Sequence, residues 1–349
     1  DINNLRNAGC NQVKIYGYWE LSRAGEDLNE NTIAGFIGND NSTYYQVSPI
    51  YLMTDEVNNI DITADSNNDI HSLAAGMGAA GTFSLGGSAV VTELNTETSA
   101  YLNSDSSNIT EIKAEENLII ESRETNQIQT EAGALSFSGT AALGGSYNKV
   151  GLDNDVNSYI GAYAQVEIGN EKYKKAEMDV ISDLTNKMDS KAVGGAAGIG
   201  LGAVGATYLD INENGNVSSY LGANSNFENI YSIEVKADSL TRGINTDKVQ
   251  AEAIGAGAGL YLGVGGAKSD INVSGDTSAY IDNNVSLINE LSNNWRENKN
   301  ININSNSDRR LDNYAFAGGG GVGALTGSDA NTVIDTTTRA YTGNQIGIN

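Results

Sequence analysis

His71 is the only histidine of this chain and Cys10 the only cysteine. An imidazole can serve as a general base and a thiolate as a nucleophile, but each needs partners that tune it. No nucleophile motif accompanies His71, and Gly9 and Asn11 offer Cys10 no activating base. His71 therefore reads as a surface turn residue and Cys10 as structural. Glu115-Glu116 and Asp153/Asp155 are carboxylate pairs that could work as acid and base on a polysaccharide. Adjacent acids in turns more simply form a solvated face. Asp210-Ile211-Asn212-Glu213-Asn214-Gly215 matches the opening half of a calcium loop, but its closing bidentate position is Leu221. Asx turns account for the same residues without metal. Gly198-Ile199-Gly200-Leu201-Gly202 weakly imitates a dinucleotide fingerprint, and no Gly-Lys-Ser/Thr follows any glycine run. No catalytic residue, metal ligand or cofactor is assigned, and the chain reads as a non-enzyme.

The elements around these residues repeat. Ser99-Ala100-Tyr101, Asn157-Ser158-Tyr159, Ser218-Ser219-Tyr220, Ser278-Ala279-Tyr280 and Arg339-Ala340-Tyr341 place tyrosines 58, 61, 60 and 61 residues apart. A Gly/Ala-rich run precedes each of them. Such regularity describes one unit stacked on itself. Within the run Ala253–Ala267, Ile254, Ala256, Ala258, Leu260, Leu262 and Val264 occupy one parity, and mostly glycine occupies the other. From Val193, Ala197, Ile199, Leu201 and Ala203 alternate with Gly198, Gly200 and Gly202 in the same way. Period two means strand, and the aliphatic face is expected to be the buried one. Glycine on one face points to close packing against another surface.

Further strands are expected at Ile60–Ala64, Leu118–Glu121, Ile233–Ala237 and Ile301–Asn304, where apolar and polar residues alternate. Residues 172–191 contain good helix formers, yet their place in the repeat assigns them to strand. Turns are expected at 39–41, Asp153–Asp155, Asn212–Gly215 and Ser274–Asp276. Each repeat of about 60 residues then holds roughly three rungs of about twenty. The fold class is all-β, a right-handed parallel β-helix. About 17 rungs at ~4.8 Å would make a rod of roughly 80 Å. Residues 1–40 fit the repeat poorly and read as a degenerate rung or cap. Residues 41–349 form the solenoid shaft, with Ser42-Thr43-Tyr44 read as a sixth anchor.

The chain has 349 residues, with 20 Lys and Arg against 44 Asp and Glu, a net charge of −24. That excludes nucleic acid as a natural partner and disfavours docking on anionic lipid. The 41 glycines accompany a single proline, Pro49, which excludes collagen-like structure. Without a second cysteine there is no intrachain disulfide. Asp1 opens no signal-peptide pattern, and the chain reads as a fragment of a longer one. Gly255, Gly259 and Gly263 also suggest a membrane-inserting hairpin, but the bare face lacks the polarity of a pore lumen. Burial inside the solenoid is the expectation, without stable membrane insertion.

The series from Gly263-Val264-Gly265-Gly266-Ala267 to Thr277-Ser278-Ala279-Tyr280-Ile281, and from Ala89–Thr92 to Thr98–Leu102, resembles repeats of giant bacterial filamentous adhesins. The likeness is to the leukotoxin-type adhesins of fusobacteria and their haemagglutinin-like relatives, over about 42–349. The resemblance implies a shaft at the bacterial surface or released from it. It implies export through an outer-membrane transporter barrel, or as an autotransporter passenger. It also implies attachment to a host-cell receptor or glycan and, for the leukotoxin branch, membrane damage to leukocytes. A β-helix carbohydrate enzyme is the remaining alternative. The loop Asn293–Lys299, with Trp295, is the expected contact surface.

Overall fold

The computed structural model describes residues 12–16, 51–52, 58–169, 175–288 and 300–348. Every regular element among them is a strand. In chain order these are β1 (Gln12–Tyr16), β2 (Tyr51–Leu52), β3 (Asn59–Ala80), β4 (Phe83–Leu102) and β5 (Glu111–Ala114). Then come β6 (Asn117–Ser138), β7 (Ala141–Ile160), β8 (Gln165–Ile168), β9 (Glu177–Gly198), β10 (Gly202–Leu221) and β11 (Asn226–Glu228). The rest are β12 (Ser232–Arg242), β13 (Val249–Gly259), β14 (Leu262–Ile281), β15 (Ser286–Ile288), β16 (Asn300–Arg309), β17 (Leu311–Gly320), β18 (Gly323–Thr342) and β19 (Gly347–Ile348).

All pairings are parallel, and they build three sheets. The first runs β1-β3-β6-β9-β12-β16, with β13 and β17 continuing the rungs of β12 and β16. The second runs β4-β7-β10-β14-β18, and the third β2-β5-β8-β11-β15-β19. Chain order returns to each sheet once per turn, so the fold is a parallel β-solenoid. The register differs from the arithmetic of twenty-residue rungs. Asn117 pairs with Glu177, and Glu177 with Ser232, so one whole repeat makes a single rung. Two long strands and one short strand complete it.

The misplaced turns explain the difference. Asp153–Asp155, Asn212–Gly215 and Ser274–Asp276 lie in the middle of β7, β10 and β14. Their side chains do not cap local turns. Asn214 Nδ2 donates to Asp153 Oδ1 of the preceding rung at 2.8 Å, and Asn216 Nδ2 to Asp155 Oδ1 at 2.9 Å. In-register stacking gives Asn and Asp a partner one rung away, an alternative to the turn they otherwise favour. Gly275, at φ +130°, marks a local break in the β10–β14 ladder.

The inward residues of β9 set the shape. They read Met178, Val180, Ser182, Leu184, Asn186, Met188, Ser190, Ala192, Gly194, Ala196, Gly198. Side-chain volume shrinks along the strand, so the first and second sheets converge. Near the third sheet the core is broad, with Ile120, Met178, Val180, Ile160, Val166 and Phe227 buried together. Further along, Ile128, Val150, Met188, Leu209 and Ile271 form a second cluster. Beyond them only Ala142, Ala196 and Ala203 remain. At the far end glycine backbones meet. A Cβ added to Gly255 would fall inside the carbonyl oxygen of Gly266 on the facing strand, and one on Gly144 inside that of Gly195. The cross-section is a wedge.

The Gly/Ala runs therefore face opposite to expectation. Gly255, Gly257 and Gly259 are buried, while Ala256, Ala258 and Leu260 point outward and are exposed. Gly198 is likewise inward, and Ile199 and Leu201 are 79% and 67% exposed. The inference of tight glycine packing holds, and the burial of the aliphatic face does not, except at Ala203, which the turn at 199–201 carries to the inward parity. The buried methyl groups of Ala192 and Ala196 still fit between the sheets, so only the narrowest positions are glycine.

The strands expected at Ile60–Ala64, Leu118–Glu121, Ile233–Ala237 and Ile301–Asn304 are present in β3, β6, β12 and β16, and Glu177–Lys191 is strand. The tyrosine anchors fall into register near the ends of β4, β7, β10, β14 and β18. Tyr101, Tyr159, Tyr220, Tyr280 and Tyr341 stack with ring centroids 4.8–4.9 Å apart and planes within 1–6°. Five rungs at ~4.8 Å stand only about 24 Å tall, whereas strands of some twenty residues span about 70 Å. The described piece is broader than it is tall.

Candidate functional site

The chemistry-bearing residues scatter over this frame. His71 is exposed in the middle of β3, paired in register with Gln129, and is not in a turn. Glu115 and Glu116 form the two-residue connection between β5 and β6, and Glu116 Oε2 accepts from Asn59 Nδ2 at 3.4 Å. Asp153 and Asp155 face outward and hold the asparagine ladder described above. Asp210–Gly215 is extended strand, with Asn212 Nδ2 donating to Asp210 Oδ1 at 2.9 Å and Glu213 turned inward. Such a segment cannot wrap a calcium ion. Gly198–Gly202 makes the turn from β9 to β10 at the thin end of the wedge. Cys10, Ser42–Tyr44, the turn at 39–41 and the loop 293–299 with Trp295 lie outside the described residues.

Connection lengths are distributed unevenly. At the thin end every rung turns in two or three residues: 81–82, 139–140, 199–201, 260–261 and 321–322. Around the third sheet they vary widely. Leu102 and Glu111 are joined by 103–110, where the later rungs use 161–164, 222–225 and 282–285. The return to the first sheet takes two residues at 115–116 and three at 229–231, and the stretch 289–299 lies outside the described residues. The excursion 103–110 is built from its own side chains. Asp105 Oδ1 accepts from the backbone N–H of Ser107 at 2.7 Å and Asn108 at 2.9 Å, which holds its carboxyl below the usual range. A second excursion, 243–248, separates β12 from β13 on the outer face of the first sheet. Asp189 ties down both ends, accepting from Ile244 N at 3.3 Å and Gln250 N at 3.1 Å.

That outer face is acidic. Asp179 lies in register beside Glu234 of the next rung, with Glu177 and Glu121 near. Burial, then these like charges, push its carboxyl up to about 6. Asp183 and Glu121 are raised chiefly by burial, while Lys236 and Arg123 pull them back. On the second sheet Tyr208 Oη donates to Asp270 at 2.9 Å, and Lys268 Nζ reaches the same carboxylate at 2.6 Å.

The interior holds polar groups that sequence reading did not single out. Glu124 is buried between the two aliphatic clusters. It accepts from Thr96 and Thr98, from Asn126 Nδ2 at 2.7 Å and from Asn154 Nδ2 at 2.8 Å. Asn126 donates in turn to Asn186 at 2.9 Å, and Asn186 to buried Glu213 at 2.8 Å. Thr241 supplies Glu213 from the next rung at 2.6 Å. Arg309 ends the seam, donating to Ser239 at 2.7 Å, with burial lowering its affinity for the proton. A signal existed in the sequence: Asn68, Asn126 and Asn186 recur at the repeat spacing. The seam is a structural device, since its carboxylates are saturated by neighbours or sealed from solvent. No cluster of His, Cys, Asp and Glu suited to a metal occurs among the described residues.

No family model, curated protein or solved structure matches this chain.

Proposed function

We propose that this chain is a segment of a secreted or surface-exposed bacterial filamentous adhesin. Its stacked rungs act as a stiff support, and the segments of variable length, around the third sheet and at 243–248, engage a host-cell surface receptor or glycan. Export through an outer-membrane transporter barrel belongs to the same reading. The observation that carries it is where length varies: around the third sheet and at the first-sheet excursion 243–248, and hardly at all at the thin end. Five near-identical turns close the thin end, while the described connections on the opposite side range from two to eight residues. Scaffold positions in a stacked fold must keep register, because one slipped residue turns every side chain to the other face. Surface connections escape that constraint and are where recognition is usually placed. The family resemblance of the Gly/Ala-to-tyrosine series supports the surface setting.

The test replaces 103–110 with a four-residue connection like 161–164, shortens 243–248 and replaces 289–299, singly and together. Binding to cultured host cells and to a glycan array is then measured. Loss of binding with an unchanged circular dichroism spectrum is the expected result. Full binding by the triple replacement overturns the reading.

A further inference from the structure

We propose that the thin end of the wedge inserts into one leaflet of a lipid bilayer with electrically neutral headgroups. This goes beyond the attachment role and does not depend on it.

The chain carries 64 charged residues, Lys and Arg 20 plus Asp and Glu 44. None falls within 74–88, 132–146, 192–207, 253–267 or 315–328. Register brings these five stretches together as one blade. On its second-sheet face Leu85, Leu143, Val204, Val264 and Leu325 stand side by side, one from each rung. On its first-sheet face Leu135 and Phe316 are exposed. At the turns Ile199, Leu260 and Val322 are 79%, 55% and 85% exposed. Contiguous exposed apolar surface of this kind marks an interaction site.

The shape selects the occupant. A second copy or a folded partner would seat on one face of the blade. Here both faces and the tip are apolar, so the complementary medium must surround it, as lipid does. The margin fits as well. The rows that bound the charge-free zone are Leu73-Glu131-Lys191-Glu252-Tyr314 on one face and Ala89-Tyr147-Tyr208-Lys268-Asp329 on the other. Tyrosine and lysine at an apolar boundary suit the headgroup level, where one end of each side chain is dry and the other wet. About eight residues separate the margin from the tip, or about 25 Å, close to the roughly 20–22 Å of one leaflet with its headgroup region.

The interior decides between wedge and pore. Glycine backbones meet across it, so no lumen exists in the blade. Backbone groups of β6, β7, β9, β10, β13 and β14 are paired on both sides, which lets them leave water. The net charge of −24 makes neutral lipid the favoured surface.

The experiment uses the whole chain and phosphatidylcholine vesicles in a flotation assay. Ile199→Asp, Leu260→Asp and Val322→Asp are combined at exposed tip positions where folding has no stake. The wild type should float, and the triple variant should show at least a tenfold lower bound-to-free ratio with an unchanged thermal midpoint. Vesicles rich in phosphatidylserine should bind less at low salt. In a second variant, Val322→Trp, emission should shift blue on adding vesicles and be quenched by brominated acyl chains. A wild type that stays with the soluble fraction overturns the proposal. So does a triple variant that floats equally well. Sedimentation in the absence of lipid adds the remaining outcome: a dimer that the triple variant abolishes, without flotation of the wild type, assigns the blade to a second copy and overturns lipid as its occupant.

Discussion

Asp179 and Glu124 are both partly or wholly withdrawn from water, and their neighbours give them opposite roles. Asp179 has carboxylates around it, and its proton is held up to about 6 against 3.8 for the free side chain. Below about pH 4 both folded and unfolded chains keep that proton. Between about 4 and 6 only the folded chain does, so stability falls as the pH rises through this window and stays low above it. Two pK units correspond to roughly 3 kcal/mol as an upper bound, before solvent screening is counted. Asp183, Asp189 and Glu121 are raised too and act in the same sense. Thermal midpoints should therefore rise from pH 7 to pH 4.5, and Asp179→Asn should be more stable than wild type at pH 7 by about 1–2 kcal/mol, with a flatter profile. Equal pH slopes in the two proteins would contradict this. Glu124 instead has donors on every side. Glu124→Ala would strand Thr98, Asn126 and Asn154 in the interior, at a cost of about 3–5 kcal/mol in urea unfolding. The sequence shows Glu124 and Asp179 as ordinary acids of alternating strands. Parity separates inside from outside, but the company each carboxylate keeps comes from the neighbouring rungs.

Strands were legible wherever large apolar residues alternate with polar ones, as in Ile60–Ala64 and Ile233–Ala237, because only the apolar parity can face a wide core. The Gly/Ala runs defeat that rule. Ile254 and Leu260 offer more apolar area than Gly255 and Gly257, yet the convergence of two sheets leaves no room for them inside. Proximity, a property of the facing strand, overrides hydrophobicity here. The assignment can be tested by a pair of neighbours. Gly255→Val places a branched side chain against the Gly266 backbone and should lower stability by about 3 kcal/mol or more, or prevent folding. Ala256→Val, one residue on and outward, should stay within about 0.5 kcal/mol of wild type. Chemical denaturation of the two variants measures the difference, and the reverse order would restore the aliphatic face to the interior. The same reasoning explains the missed strand continuity at Asn212–Gly215. Asn and Gly mark turns when their hydrogen bonds must be made locally, and stacking removes that need.

At the scale of the molecule the tyrosine spacing carried the essential information, namely that one unit recurs. It did not say how far the chain travels before returning to its own level. A rung of about 60 residues and a rung of about twenty make opposite predictions for deletions. Removing 177–231 joins residue 176 to Ser232 and lets β12 take the place of β9 on β6, because Ser232, Glu177 and Asn117 share one register position. The second sheet closes in the same way, since Leu262, Gly202 and Ala141 are aligned. The tyrosine stack then passes from Tyr159 directly to Tyr280. A four-rung protein should fold, with a parallel-sheet spectrum, a single cooperative transition and a lower midpoint, as expected when each unit contributes its own stability plus one interface. Removing only 202–221 takes β10 out of the second sheet, leaves β9 and β11 of that rung without a connection through it, and should abolish cooperative unfolding. Were rungs twenty residues long, the shorter deletion would be the harmless one. Circular dichroism and thermal melts of the two deletions therefore read the pitch of the solenoid directly.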